Sequence, residues 1–172
     1  MIGTWFDSVS HFEGKGGIAV KVTELRKEWE GRRATLRKLV EGIPEGREDY
    51  CPAPGVMSLA GHALHILSAE KTAIDAMTVT PGKWEWATGI DAAHYPKRED
   101  VLGVLDRQSE VTRAYFDSLT DDMLTSPIKL PWGAEPTVEV FWLQWLTHDA
   151  HHCGNIITTM RAGGIEPPNV WG

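Results

Sequence analysis

The chain has 172 residues, a formal net charge of -7 and a hydrophobic fraction of 42%. A chain of this length buries roughly 70% of its unfolded surface, so it can hold a core without disulfides. The negative charge argues against broad contact with nucleic acid or with an anionic membrane, because both need a basic surface. We predict one soluble domain over residues 1–172, with a lead-in at 1–17 and a tail at 163–172.

The two cysteines, Cys51 and Cys153, form no C-x-x-C pair and imply no disulfide framework. The first residues lack the basic start and apolar run of a signal peptide. No uninterrupted apolar stretch reaches the roughly 18 residues that a membrane span needs. These features predict a cytoplasmic protein with reduced thiols.

Apolar residues recur with the 3.6-residue period of an α-helix in four segments of the chain. The predicted helices cover residues 18–41, 58–77, 97–119 and 136 or 137 to 162. The long connections at 79–96 and 120–135 include a short capped turn after 120 and a small extended hairpin around 128–133. No alternating pattern is long enough for a sheet, so the predicted class is an all-α four-helix bundle.

Two of these helices carry polar residues whose placement matters for the site. In the first, we expect a group of basic side chains to form a solvated face: Arg32, Arg33, Arg37 and Lys38. In the fourth, the inward stripe combines apolar residues with two histidines: Phe141, Trp145, His148, His152, Ile156 and Met160. The histidines are therefore expected on the core-facing line of that helix.

His148 and His152 lie four residues apart, so their side chains share one face of the helix, with Cβ atoms roughly 5–6 Å apart. Two imidazoles so placed can bind one metal ion, as in other H-x-x-x-H helices. Two ligands rarely suffice, and His65 in the second predicted helix can supply the third. We predict a mononuclear site for one divalent ion at His65, His148 and His152, with open positions for water or substrate.

Two neighbouring histidines are alternative candidates for the metal ligands. His62 lies one turn before His65, and His151 could replace His152 in a slightly rotated helix. If they are not ligands, we expect His62 and His151 to lie behind the ligands or at the mouth of a pocket. The alternative without a metal is that all of these histidines bond to backbone carbonyls.

Carboxylates contribute little to the predicted site. Asp149 directly follows His148 and is expected to point away from it, and Glu70, five residues after His65, is only marginally placed. A di-iron bundle needs Glu-x-x-His units, which are missing here. Cys153 is expected to be a small buried residue, so no catalytic residue is assigned.

Residues 58–70 resemble the second helix of the DinB-like superfamily of metal-binding four-helix bundles, in which a histidine is followed five residues later by Glu. Residues 137–155 resemble its last helix, whose H-x-x-x-H-R-G-Q pattern reads here His148-Asp149-Ala150-His151-His152-Cys153-Gly154-Asn155. The Pro-rich loop at 51–55 fits as well, and the resemblance covers residues 18–161. Two positions depart from the pattern, because Cys153 replaces Arg and Asn155 replaces Gln.

This resemblance implies a divalent ion, commonly zinc or nickel, bound by the three histidines, and a homodimer. Its characterised members include transferases and isomerases that use mycothiol or bacillithiol. We therefore expect a metal-dependent enzyme that transfers a low-molecular-weight thiol to a small-molecule electrophile. The alternatives are a hydrolase that uses a metal-bound water and a metal-binding stress-response protein without enzymatic activity.

Overall fold

The computed structural model describes residues 20–170. Its long helices are α1 (Val22–Glu41), α2 (Leu59–Thr78), α3 (Arg98–Ser118) and α4 (Val138–Ala162), with a short 3₁₀ helix at Asp121–Thr125. Helices α1 and α2 each pack against both α3 and α4. Within the described residues the chain therefore forms an all-α four-helix bundle, which confirms the predicted fold class.

Helix α1 was predicted to begin at residue 18. Residues 20 and 21 are not helical, so this start was wrong, and the helix begins at Val22. Lys21 is extended, and its N–H donates to the carboxylate of Glu24 (3.0 Å). The N–H of Val22 donates to Oδ1 of Asp121 (2.9 Å), which ties the first turn of α1 to the 3₁₀ helix. Residues 18 and 19 and the predicted lead-in lie outside the described residues.

Helices α2 and α4 begin within a residue or two of their predicted starts, because each has a hydroxyl side chain as its N-cap. Oγ of Ser58 accepts from the N–H of Gly61 (3.1 Å). Oγ1 of Thr137 accepts from the N–H of Val140 (3.3 Å). The two caps fix the register of the helices that carry the histidines.

The core contains one largely aliphatic cluster and one aromatic cluster. The aliphatic cluster includes Leu36, Leu39, Ile66, Ile156 and Met160. In the aromatic cluster Trp29, Phe116 and Trp142 meet, with the ring centroids of Phe116 and Trp142 4.6 Å apart. Along α4 the aromatic cluster ends at Leu146 and the aliphatic cluster begins at Cys153. The histidines of α4 therefore lie where the two clusters meet.

The two long connections meet beside the aromatic cluster. The predicted hairpin is confirmed by hydrogen bonds from the N–H of Ile128 to the carbonyl of Pro136 (2.8 Å) and from the N–H of Leu130 to that of Ala134 (2.9 Å). The indole N–H of Trp84, from the other connection, donates to the carbonyl of Lys129 (2.9 Å). No helix in the described part of the chain is long and apolar enough to cross a membrane.

Candidate metal centre

Helices α2 and α4 bring His65, His148 and His152 together. Each ring offers one nitrogen, and the three nitrogens all lie within 4.8 Å of one another. The Nε2 atoms of His65 and His148 are 3.2 Å apart. The ring centroid of His152 lies 4.6 Å from that of His65 and 4.6 Å from that of His148. The three residues chosen from the sequence thus form one cluster.

The spacing of these nitrogens fits a divalent metal ion. Zinc–nitrogen distances are about 2.0–2.1 Å, so two ligands of a tetrahedral ion lie about 3.3 Å apart. The 3.2 Å between the Nε2 atoms of His65 and His148 agrees with this separation. His152 is buried, whereas 23% of the His148 side chain is exposed. One side of the cluster therefore faces solvent, as a site that admits a substrate requires.

His65 and His152 have the protonation state that metal binding needs. Burial, reinforced by the neighbouring His148 and His65, lowers the pKa of His152 to about 3. Burial and the neighbouring His148 likewise lower the pKa of His65. Both imidazoles are therefore neutral at pH 7, and each keeps a lone pair that a metal ion can accept.

His62 contacts a member of the cluster without belonging to it. Its Nδ1 lies 3.0 Å from Nδ1 of His152, and the residue is only 5% exposed. Its Nε2 is buried and has no hydrogen-bond partner in the described structure. His151, in contrast, is exposed, and its Nε2 lies 3.1 Å from the side-chain amide nitrogen of Asn155. His62 thus lies behind His152, and His151 lies at the rim.

Asp149 was expected to point away from His148, and this was wrong, because the carboxylate lies beside the His148 ring. It is 3% exposed, and its Oδ1 lies 3.5 Å from Nδ1 of His148. Both atoms are buried without a hydrogen-bond partner. The buried line of α4 runs with alternating steps of four and three residues through Trp142, Leu146, Asp149, Cys153 and Ile156. This spacing in the sequence indicates that Asp149 is buried. It also places His148 beside the buried face of α4, where the residue is only half-buried.

The carboxylate of Glu70 does not contact the histidines and belongs to a second buried polar group. Its Oε2 accepts from the indole N–H of Trp29 (2.9 Å) and from Arg33 (2.5 Å), and its Oε1 accepts from the hydroxyl of Thr112 (2.6 Å). Five residues rotate an α-helix by about 140°, so Glu70 and His65 face different neighbours.

The expected solvated face of α1 was wrong for Arg33, which is 5% exposed because it binds the buried carboxylate of Glu70. A helical period within α1 could not reveal this pairing, since the partner lies on another helix.

The two departures from the family pattern have different surroundings. Cys153 is buried in the aliphatic cluster, and burial raises the pKa of its thiol to about 12. The thiol is therefore neutral and a poor nucleophile at pH 7. Cys153 is also not part of the group of ligand atoms that cluster in the described structure. Asn155 is half-buried and bonds to His151 at the rim.

Comparison with solved structures supports the fold. A DinB-like protein from Bacillus cereus ATCC 10987 is 22% identical, with a TM-score of 0.65 over 90% of this chain and 100% of that chain. A DinB-like protein from Bacillus subtilis is 21% identical, with a TM-score of 0.65 over 86% of this chain and 97% of that chain. At these identities the likeness shows the fold. A comparison with curated proteins gives no match.

A comparison of the sequence with models of protein families gives independent evidence of family membership. The model of the DinB superfamily matches residues 28–156, a segment that contains all three clustered histidines. This segment is well over half of the chain, and it begins within α1 and ends within α4. Together with the bundle of four helices, the match shows that the chain belongs to the DinB superfamily.

Proposed function

We propose that this protein is a metal-dependent enzyme that transfers a low-molecular-weight thiol to small electrophiles. His65, His148 and His152 would hold one divalent ion, zinc or nickel. The observation that carries the proposal is the convergence of three imidazole nitrogens, all within 4.8 Å of one another, at a partly exposed position. A catalytic metal site keeps such an open position, whereas a structural site is closed by four protein ligands.

The ion would lower the pKa of a thiol bound at its open position and so supply a thiolate at neutral pH. The protein's own thiols do not fill this role. Cys153 is buried with a pKa of about 12, and Cys51 is an exposed residue in the connection before α2. The reacting sulfur would therefore come from a small cosubstrate.

Hydrolysis by a metal-bound water is the competing reaction, and it needs a base near that water. The buried carboxylate of Asp149 approaches Nδ1 of His148, whereas Nε2 of His148 faces His65. Asp149 is therefore on the wrong side of the ring to act as this base. Hydrolysis would then need His62 or His151 as its base, and we rank it second to thiol transfer.

Metal content is the first test of the proposal. We expect about one divalent ion per chain in the wild type by elemental analysis, and none in His148→Ala or His152→Ala. His94→Ala is the matched control, because His94 is exposed and bonds to Asp91 (2.9 Å). A wild type that binds neither zinc nor nickel after reconstitution would refute the metal site.

Activity is then measured on the metal-loaded protein with bacillithiol, mycothiol or glutathione and a chlorinated acceptor such as monochlorobimane. In this reaction a C–S bond forms and the C–Cl bond breaks, chloride leaves, and the thiol proton passes to solvent. Product that forms only with both thiol and metal supports the transferase. Turnover of esters or amides without a thiol would favour the hydrolase.

A folded, metal-loaded protein without either activity would favour the non-enzymatic alternative. The homodimer and the cytoplasmic location stay predictions.

A further inference from the structure

A metal-binding histidine uses one ring nitrogen for the ion and carries a proton on the other. When that second nitrogen is buried, its N–H needs an acceptor, and the acceptor fixes both the tautomer and the orientation of the ring. The two ligands on α4 each have a buried candidate for this acceptor next to Nδ1. His62 lies beside His152, and Asp149 lies beside His148.

The contact between His62 and His152 has the length of an N–H···N hydrogen bond, 3.0 Å between the two Nδ1 atoms. One of the two atoms donates and the other accepts. If His152 donates, its Nε2 keeps the lone pair that an ion requires. If His62 donates, the proton of His152 is on Nε2, and that atom cannot bind an ion.

His148 and Asp149 form a second pair of this kind. Nε2 of His148 faces Nε2 of His65 at 3.2 Å, so Nδ1 is the atom left for an acceptor. Oδ1 of Asp149 is 3.5 Å from it, slightly beyond a good hydrogen bond. Both atoms are buried without another partner in the described part of the chain, so each lacks a hydrogen bond that the other could supply.

From these two contacts we propose that His62 and Asp149 are positioning residues for the metal site. They hold Nδ1 of His152 and Nδ1 of His148, so that both rings present Nε2 to the ion. This inference rests on the proposed metal centre. His62 is not a fourth ligand, because among the described residues the group of nitrogens within 4.8 Å of one another consists of His65, His148 and His152.

The test is the zinc affinity of the purified full chain, measured by competition with a chromophoric chelator. We expect His62→Leu and Asp149→Leu each to bind zinc about 10–100-fold more weakly than the wild type, the usual effect of losing such an acceptor. His62→Asn and Asp149→Asn keep an oxygen acceptor near the same point, so we expect them to recover most of the affinity. His94→Leu is the control and should bind as the wild type does, because His94 is exposed and bonds to Asp91.

A second measurement separates positioning from a general loss of structure. In the zinc-loaded, ¹⁵N-labelled wild type, long-range ¹H–¹⁵N correlation spectra should show His148 and His152 protonated at Nδ1. His62→Leu should broaden or shift the His152 signal and leave that of His148, and Asp149→Leu should do the reverse. The spectrum of the rest of the chain reports whether each variant is folded.

The outcomes distinguish this inference from the proposed function. If the wild type binds no zinc, both fail. If the wild type binds zinc and the two leucine variants bind it equally well, the positioning role is wrong and the metal centre stands. Protonation of His148 or His152 at Nε2 in the zinc-loaded wild type would also overturn the inference.

Discussion

The interior holds two polar groups that differ in how their hydrogen-bonding atoms are used. In the group around Glu70, both carboxylate oxygens accept hydrogen bonds, from residues on α1 and α3. Nε and Nη1 of Arg33 have no hydrogen-bond partner in the described structure, but Nη2 binds the carboxylate. In the group around His152, the nitrogens face one another, and the buried Nε2 of His62 and Nδ1 of His148 have no partner. The first group joins three helices, whereas the second has nitrogen lone pairs available for a ligand.

This difference separates a stabilising site from a candidate binding site in the same bundle. A buried charge is tolerated when donors or acceptors surround it, and removing its partner is costly. A buried imidazole nitrogen without a partner lowers stability unless something binds it, whereas Arg33 keeps the carboxylate of Glu70 as its partner. The comparison therefore predicts that changes at the Glu70 group affect folding, whereas changes at the histidines affect metal binding.

The largest expected effect is on stability. Glu70→Ala removes the acceptor of Arg33 and leaves a buried guanidinium unpaired, which costs about 3–5 kcal/mol of unfolding free energy. We expect His65→Ala in the metal-free protein to cost about 1 kcal/mol or less, because His65 is only half-buried. Urea denaturation in the presence of a chelator measures both values. Equal losses of unfolding free energy in the two variants would contradict the view that the Glu70 group stabilises the fold and the histidines do not.

The second prediction concerns pH and the metal-free protein. Burial, with the neighbouring His65 and His151, lowers the pKa of His62 to about 4, and the pKa of His152 is about 3. The unfolded chain, with histidine pKa values near 6.5, therefore binds more protons than the folded chain below that pH. The free energy of unfolding should fall as the pH decreases from about 6.5 towards 4. Denaturation curves of His152→Leu should show a smaller pH dependence, and an unchanged dependence would contradict this account.

The smallest effect concerns the two thiols. Cys51 is exposed, whereas Cys153 is buried and its pKa is about 12. At pH 8 we expect iodoacetamide to alkylate Cys51 and to leave Cys153 unmodified in the folded protein. Mass spectrometry of tryptic peptides measures this, and Cys51→Ser is the control that should prevent labelling. Rapid modification of Cys153 would show that the region beside His152 is open to reagents.

The sequence predicted the helices and the three clustered histidines well, because both depend on spacing within one helix. The 3.6-residue period located α2, α3 and α4 to within two residues, and the H-x-x-x-H spacing of His148 and His152 identified the face. The third histidine, His65, was found because the resemblance and the apolar surroundings agreed.

The residues that the sequence misplaced depend on contacts between helices. Arg33 was predicted to face solvent because the spacing of residues within α1 does not reveal a partner on another helix. That partner is Glu70 on α2. Asp149 was expected to point away from His148 because adjacent residues on a helix do not face each other. The line of buried residues that it shares with Leu146 and Cys153 was the better guide.

The indole of Trp145 lies against His148, with ring centroids 5.2 Å apart and an interplanar angle of 33°. An indole this close to an imidazole changes its fluorescence when the imidazole binds a paramagnetic ion such as Ni²⁺. The fluorescence of Trp145 would therefore report the binding of Ni²⁺ at the candidate metal centre. The other tryptophans contribute a background, and comparison with Trp145→Phe would remove it.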